Sequence, residues 1–135
     1  MLATLGRFQP AVPLLLRIVV GLIFLAHGLK KIDGGMGAFG ETVERIGLPL
    51  PFVFAWVAAL TELLGGIFVL VGLFTRWAAL GLAIVMYVAI SRVHQHDGLV
   101  GGYEFPLVLF VVAICLMLSG GGPLSLDKTV LHRDL

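Results

Sequence analysis

Four long apolar runs, each broken by no more than two ionisable side chains, set what this chain can fold into. They cover residues 11–29 (AVPLLLRIVVGLIFLAHGL), 51–73 (PFVFAWVAALTELLGGIFVLVGL), 77–91 and 105–119. A helix needs about 20 mainly apolar residues to cross a bilayer. The last two runs reach that length by borrowing flanks, giving spans of about 75–92 and 104–121. Strands of a membrane barrel would alternate apolar and polar residues, and these runs are continuous. The rest of the composition agrees. Of 135 residues 59% are hydrophobic and 13% charged, whereas a soluble domain carries about a quarter charged residues. The apolar excess excludes disorder. A formal net charge of +1 offers no basic stripe for nucleic acid. Cys115 stands alone, which excludes an internal disulfide or a cysteine-rich metal knot.

The expected fold is an all-α integral membrane protein: one domain over residues 1–135, an antiparallel up-down bundle of four transmembrane helices. Phe74-Thr75-Arg76 is so short a link that spans two and three must form a hairpin. Between spans one and two, residues 36–46 (MGAFGETVERI) place Phe39, Val43 and Ile46 on one side, as expected of a short helix lying at the membrane surface. Pro51 suits the first turn of the next helix. The glycine runs at 34–37 and 120–122 lack the strand-turn-helix setting of a nucleotide site and are read as flexible breaks. The first span carries Arg17 and no small-x-small cleavage site follows it, so it is expected to be retained. An even number of crossings puts both termini on one side. Lys and Arg near the span ends are balanced, so they do not assign that side.

Arg17 and Glu62 lie inside spans, where a charge costs about 2.5–3.5 kcal/mol on insertion scales and turns toward the bundle interior. Arg17 shares a helical face with Gly21, Phe24 and Gly28; Glu62 shares one with Ala58, Ala59, Gly65 and Gly66. Small residues mark close helix approach. At about 1.5 Å per residue the two charges fall within a few ångströms of one another along the membrane normal. The expectation is a buried Arg17–Glu62 ion pair, either fixing helix register or lining a polar path.

Polar side chains gather at the membrane face opposite the termini: His27, Lys30 and Lys31 from span one, Arg92, His94, His96 and Asp97 after span three, and Tyr103 and Glu104 opening span four. Tyr87 shares a helical face with Ser91, and with His94 if the helix continues. Three readings fit. His27 with His94 or His96 could ligate a metal or haem, although HxH lacks the i, i+4 spacing of a helical zinc pair, and no metal site is assigned. A quinone could sit in an apolar pocket with His27, Tyr87, His94, Tyr103 and Glu104 around it. An ordinary interfacial rim would place the same residue types at headgroup level.

The LLLRIVVGLIFLAHGLKKI run, TELLGG in span two, VGLFTRWAA at the hairpin and GGGPLSLDK near the end together resemble the DoxX family over residues 13–128. The matching positions are Arg17, the His27–Lys31 segment, Glu62, Phe74-Thr75-Arg76 and Ser125-Leu126-Asp127. The resemblance implies a multi-pass protein of the bacterial inner (cytoplasmic) membrane in a redox setting. It would be an accessory or quinone-facing subunit with a redox partner protein, able to form a homo-oligomer. The family supplies no catalytic residues, and many relatives carry an aromatic in the third loop where this chain has His94-Gln95-His96-Asp97. A non-enzymatic scaffold or assembly partner is the rival, and a small-molecule permease subunit the third class.

Overall fold

A computed structural model describes the chain from Leu2 to Leu135. A 3-10 segment, Leu2–Ala11, leads into α1 (Val12–Asp33); then follow α2 (Met36–Arg45), α3 (Pro51–Val71), α4 (Thr75–Val88), α5 (Glu104–Ser119) and the single turn α6 (Leu126–Thr129). Ala89–Val93 and Leu99–Tyr103 continue α4 and precede α5 as π-helical turns. No strand occurs among the described residues. Thr4–Asp33, Pro51–Val71, Thr75–Val93 and Leu99–Ser119 are long and apolar enough to cross a membrane. The protein is an all-α, multi-pass membrane protein.

Local sequence chemistry sets the helix ends. Pro13 and Pro51 sit in the first turns of α1 and α3, where a missing N–H costs nothing. Gly72 ends α3 at φ +73°. Its N–H donates to the Phe68 carbonyl at 2.8 Å, and the Leu73 N–H donates to the same oxygen at 2.9 Å. This is the left-handed closure that glycine adopts most cheaply.

Helix α1 packs on α3, α3 on α4 and α4 on α5. The α1–α3 crossing is nearly backbone to backbone: a Cβ at Gly28 would lie 2.6 Å from the Leu63 backbone nitrogen, and one at Gly66 would lie 2.6 Å from that of Leu25. Between the helices Phe24, Val69, Leu82, Ala83, Leu109, Ala113 and Leu116 form a buried apolar cluster. Leu15, Val19, Trp56, Trp77, Ile84 and Val108 are exposed around the outside. Hydrocarbon accepts such a surface where water would not.

Two expectations need correction. The 120–122 glycine run is an ordered corner, not a flexible break. Gly120 and Gly121 are buried, and a Cβ on Gly121 would meet Thr75 Oγ1 and Ser125 Cβ at 2.6 Å. The Arg17–Glu62 pair does not form either. Arg17 and Glu62 are buried, at 2% and 1% exposure, but each has another partner. Depth keeps them apart. Gly28 of α1 packs against Leu63, and Gly21 against Gly66 and Leu70. Arg17 therefore lies level with the end of α3, roughly 15 Å along the bundle from Glu62.

Candidate functional site

The two ends of the bundle hold its polar chemistry, and they differ in kind. At the end carrying the termini, α3 finishes with no basic residue in its last turn, so its final carbonyls need donors from elsewhere. Arg17 supplies them. Its Nε donates to Val69 O at 2.9 Å, Nη2 to Leu70 O at 3.1 Å, and Nη1 to Gly121 O at 2.7 Å and Leu124 O at 3.4 Å. A cation at a helix C-terminus also opposes the negative end of the helix dipole.

The same end joins the hairpin to the segment after α5. Asp127 is fully buried and accepts from Phe74 N at 2.7 Å, Thr75 N at 2.9 Å and Thr75 Oγ1 at 2.8 Å. It thereby caps the start of α4 from a distant part of the chain and holds Phe74 at φ +48°, a conformation unfavourable for a side chain of that size. Arg76 Nη1 donates to Met117 O and Leu118 O at 2.8 and 2.6 Å, capping the end of α5. The motifs around residues 74–76 and 125–127 are therefore one structural joint.

At the opposite end a cavity of about 310 Å³ opens between α1, α2, α3, α4 and the start of α5. Phe24, Val43, Ile46, Met86, Phe105 and Leu109 give it apolar walls. Its polar lining comes from His27, Lys31, Thr42, Glu62 and His94. Lys31 and Glu62 form an ion pair inside it; the Glu62 side chain is 2% exposed and that of Lys31 25%. The Lys31 ammonium also stands over the Phe39 ring, 5.2 Å from its centroid. A shallower groove of about 390 Å³ lies between the end of α1 and the start of α2. His27, Lys31, Phe39 and Thr42 line both spaces and so form the partition between them.

The two imidazoles are held in defined ways. His27 Nδ1 bonds the Ile23 carbonyl at 2.9 Å, and its ring tilts against Phe105 with centroids 6.0 Å apart. His94 Nδ1 bonds Asp97 Oδ2 at 2.7 Å. The expected ring of five side chains is assembled only in part: His27 and His94 line the cavity, while Tyr87, Tyr103 and Glu104 do not. Tyr87 is 61% exposed on the outer face. Tyr103 is half-buried beside α5. Glu104 is exposed, and its carboxylate accepts the Gly101 N–H at 3.0 Å, a local closure of the turn before α5. Cys115 is exposed as well. No group of three His, Cys, Asp or Glu side chains among the described residues is placed to hold a metal ion.

Sequence reasoning passed over Lys31, Thr42 and the α2 face as cavity lining. The signal was present: Lys31 follows His27 by four residues, one helical turn, so the two share a face of α1.

The profile of the DoxX family matches residues 12–95. The chain belongs to the DoxX family. It is 38% identical to "Putative oxidoreductase CatD" of Bacillus subtilis (strain 168) over 118 residues, covering 87% of this chain and 85% of that protein. It is 36% identical over 135 residues to "Uncharacterized membrane protein Rv3486" of Mycobacterium tuberculosis, covering 87% and 80%. It is 27% identical over 133 residues to "Inner membrane protein YphA" of Escherichia coli (strain K12), covering 91% and 93%. No solved structure matches the chain.

Proposed function

We propose that this DoxX-family chain is a quinone-facing subunit of a redox system in the bacterial inner membrane, with its site in the cavity between α1, α2, α3, α4 and α5. The observation that carries this reading is a part-buried ammonium–carboxylate pair that lines, together with two imidazoles, an otherwise apolar space of about 310 Å³. Lipophilic ligands occupy sites of this kind, with mostly apolar walls and a few polar groups that fix orientation. The name of the Bacillus subtilis relative supports a redox setting and that of the Escherichia coli relative supports the membrane. The chain itself offers binding and proton-handling side chains, so electrons come from a partner protein.

The permease reading has less support, since the bundle centre is a packed apolar cluster that includes Phe24, Leu82 and Leu116. Native mass spectrometry of the protein purified with its own lipid tests the proposal. A bound quinone-mass adduct that disappears in a Met86→Trp variant, which fills the cavity, is the expected outcome. A ligand-free spectrum, with no quinone-dependent shift in melting temperature, would overturn it.

A further inference from the structure

The hydrogen-bonding polarity of the cavity can be worked out group by group. Glu62 gives one carboxylate oxygen, Oε2, to Lys31, and no hydrogen bond reaches Oε1 from the described residues. No buried side-chain polar atom among those residues is orphaned, so Oε1 is reached through the cavity it lines. His27 Nδ1 faces a carbonyl oxygen, which can only accept; the ring proton therefore sits on Nδ1, and Nε2 of the neutral ring carries a lone pair. His94 Nδ1 faces a carboxylate oxygen with the same consequence. Thr42 spends its hydroxyl proton on Ala38 O at 3.1 Å and retains only acceptor capacity. Lys31 is the one cationic donor lining the cavity; it is engaged by Glu62 and by the Phe39 ring.

Glu62 Oε1 is thus the buried acceptor of the cavity. The exposed His27 and Thr42 and the half-buried His94 add acceptors among its lining residues, against one shared donor. A quinone offers only carbonyl acceptors, whereas its reduced form offers two hydroxyl donors. A buried acceptor left without a donor loses its hydration and gains nothing in return. From this we infer that the cavity selects a hydroxyl-bearing aromatic ring, and so, resting on the quinone reading above, the quinol in preference to the quinone. Glu62 Oε1 is the principal acceptor, and the imidazoles and Thr42 stand at the rim. A tenfold preference for the quinol, about 1.4 kcal/mol, raises the midpoint potential of the bound two-electron couple by about 30 mV. The subunit therefore holds quinol until a partner draws it off or oxidises it.

The test uses the full chain in nanodiscs at about pH 8, where imidazole side chains are generally uncharged. Four probes are titrated without oxygen: decylubiquinol, decylubiquinone, 4-decylphenol and its methyl ether. The proposal expects the quinol to bind at least tenfold tighter than the quinone, and the phenol at least tenfold tighter than the ether. A Glu62→Gln variant, whose amide replaces an acceptor oxygen by a donor, should reduce both ratios to about threefold or less, while Glu62→Asp keeps them above that level. Equal binding of phenol and ether overturns the inference with no variant required. Unchanged ratios in Glu62→Gln overturn the role of Glu62. Binding of the phenol over the ether, with neither quinol nor quinone bound, refutes the quinone reading and leaves the donor-selective cavity standing. Failure of all four probes refutes both.

Discussion

At the terminal end of the bundle Arg17 meets four carbonyl oxygens and Asp127 meets three donors. At the other end Glu62 is just as buried, yet among the described residues only one of its oxygens has a hydrogen-bond partner, and a cavity of about 310 Å³ lies beside it. Both ends bury charge, so burial alone does not separate a structural polar group from a functional one. Completeness of the hydrogen bonding does. A saturated set holds helices in place, and an unsaturated one retains binding capacity.

That contrast can be broken by substitution. The largest loss is expected from Arg17→Ala, which strips donors from Val69, Leu70 and Gly121. Thermal unfolding in detergent should show a loss of about 3 kcal/mol or more, or no folded protein, and Arg17→Lys should recover only part of it. A melting temperature within 2 °C of wild type, a small shift by the usual scaling, would remove Arg17 from the structural set. Asp127→Ala follows, leaving the Phe74 and Thr75 amides without their acceptor. Its cost should be about 1–3 kcal/mol, with faster hydrogen exchange at those two amides as the direct readout. Gly28→Ala drives a Cβ toward the Leu63 backbone and should cost about 1–3 kcal/mol by overpacking. A Gly28→Ala protein as stable as wild type would mean that α1 and α3 cross less closely than described.

The opposite end should respond in the reverse sense. Glu62→Gln is expected to change ligand selectivity far more than melting temperature, because Gln keeps the volume and leaves Lys31 able to reach the outer groove that it also lines. Equal losses of folding and binding would place Glu62 with Arg17 as a structural charge. The smallest effects belong to Tyr87→Phe and Glu104→Gln, which lie outside the cavity. Each should stay within about 0.5 kcal/mol in stability and leave ligand titrations unchanged. A loss of binding in either would enlarge the site beyond α1–α4 and the first turns of α5.

Much of the fold was legible before any coordinates. The four spans fall where the apolar runs fall, because hydropathy is a property of contiguous residues and a helix satisfies its own backbone. The α2 segment was visible from the spacing of Phe39, Val43 and Ile46. The site was harder to read. Of the expected residues His27 and His94 reach the cavity, and Tyr87 does not, because the π-helical turn at Ala89–Val93 changes the phase of the helix between Tyr87 and His94. Lys31 was hidden among rim cations because a lysine at a span end most often serves the interface.

By itself, then, the sequence determined a four-span helical membrane protein with an apolar exterior and small residues where helices meet. It also put acidic and basic groups inside that exterior, where each must find a partner. Only the tertiary structure decided which partners they found. Arg17 is matched to the end of α3 and to the corner after α5, and Glu62 to Lys31. The reason is dimensional: sequence order fixes positions along each helix, whereas a side chain's partner also depends on how far neighbouring helices are offset along the bundle and on where the segment after α5 returns.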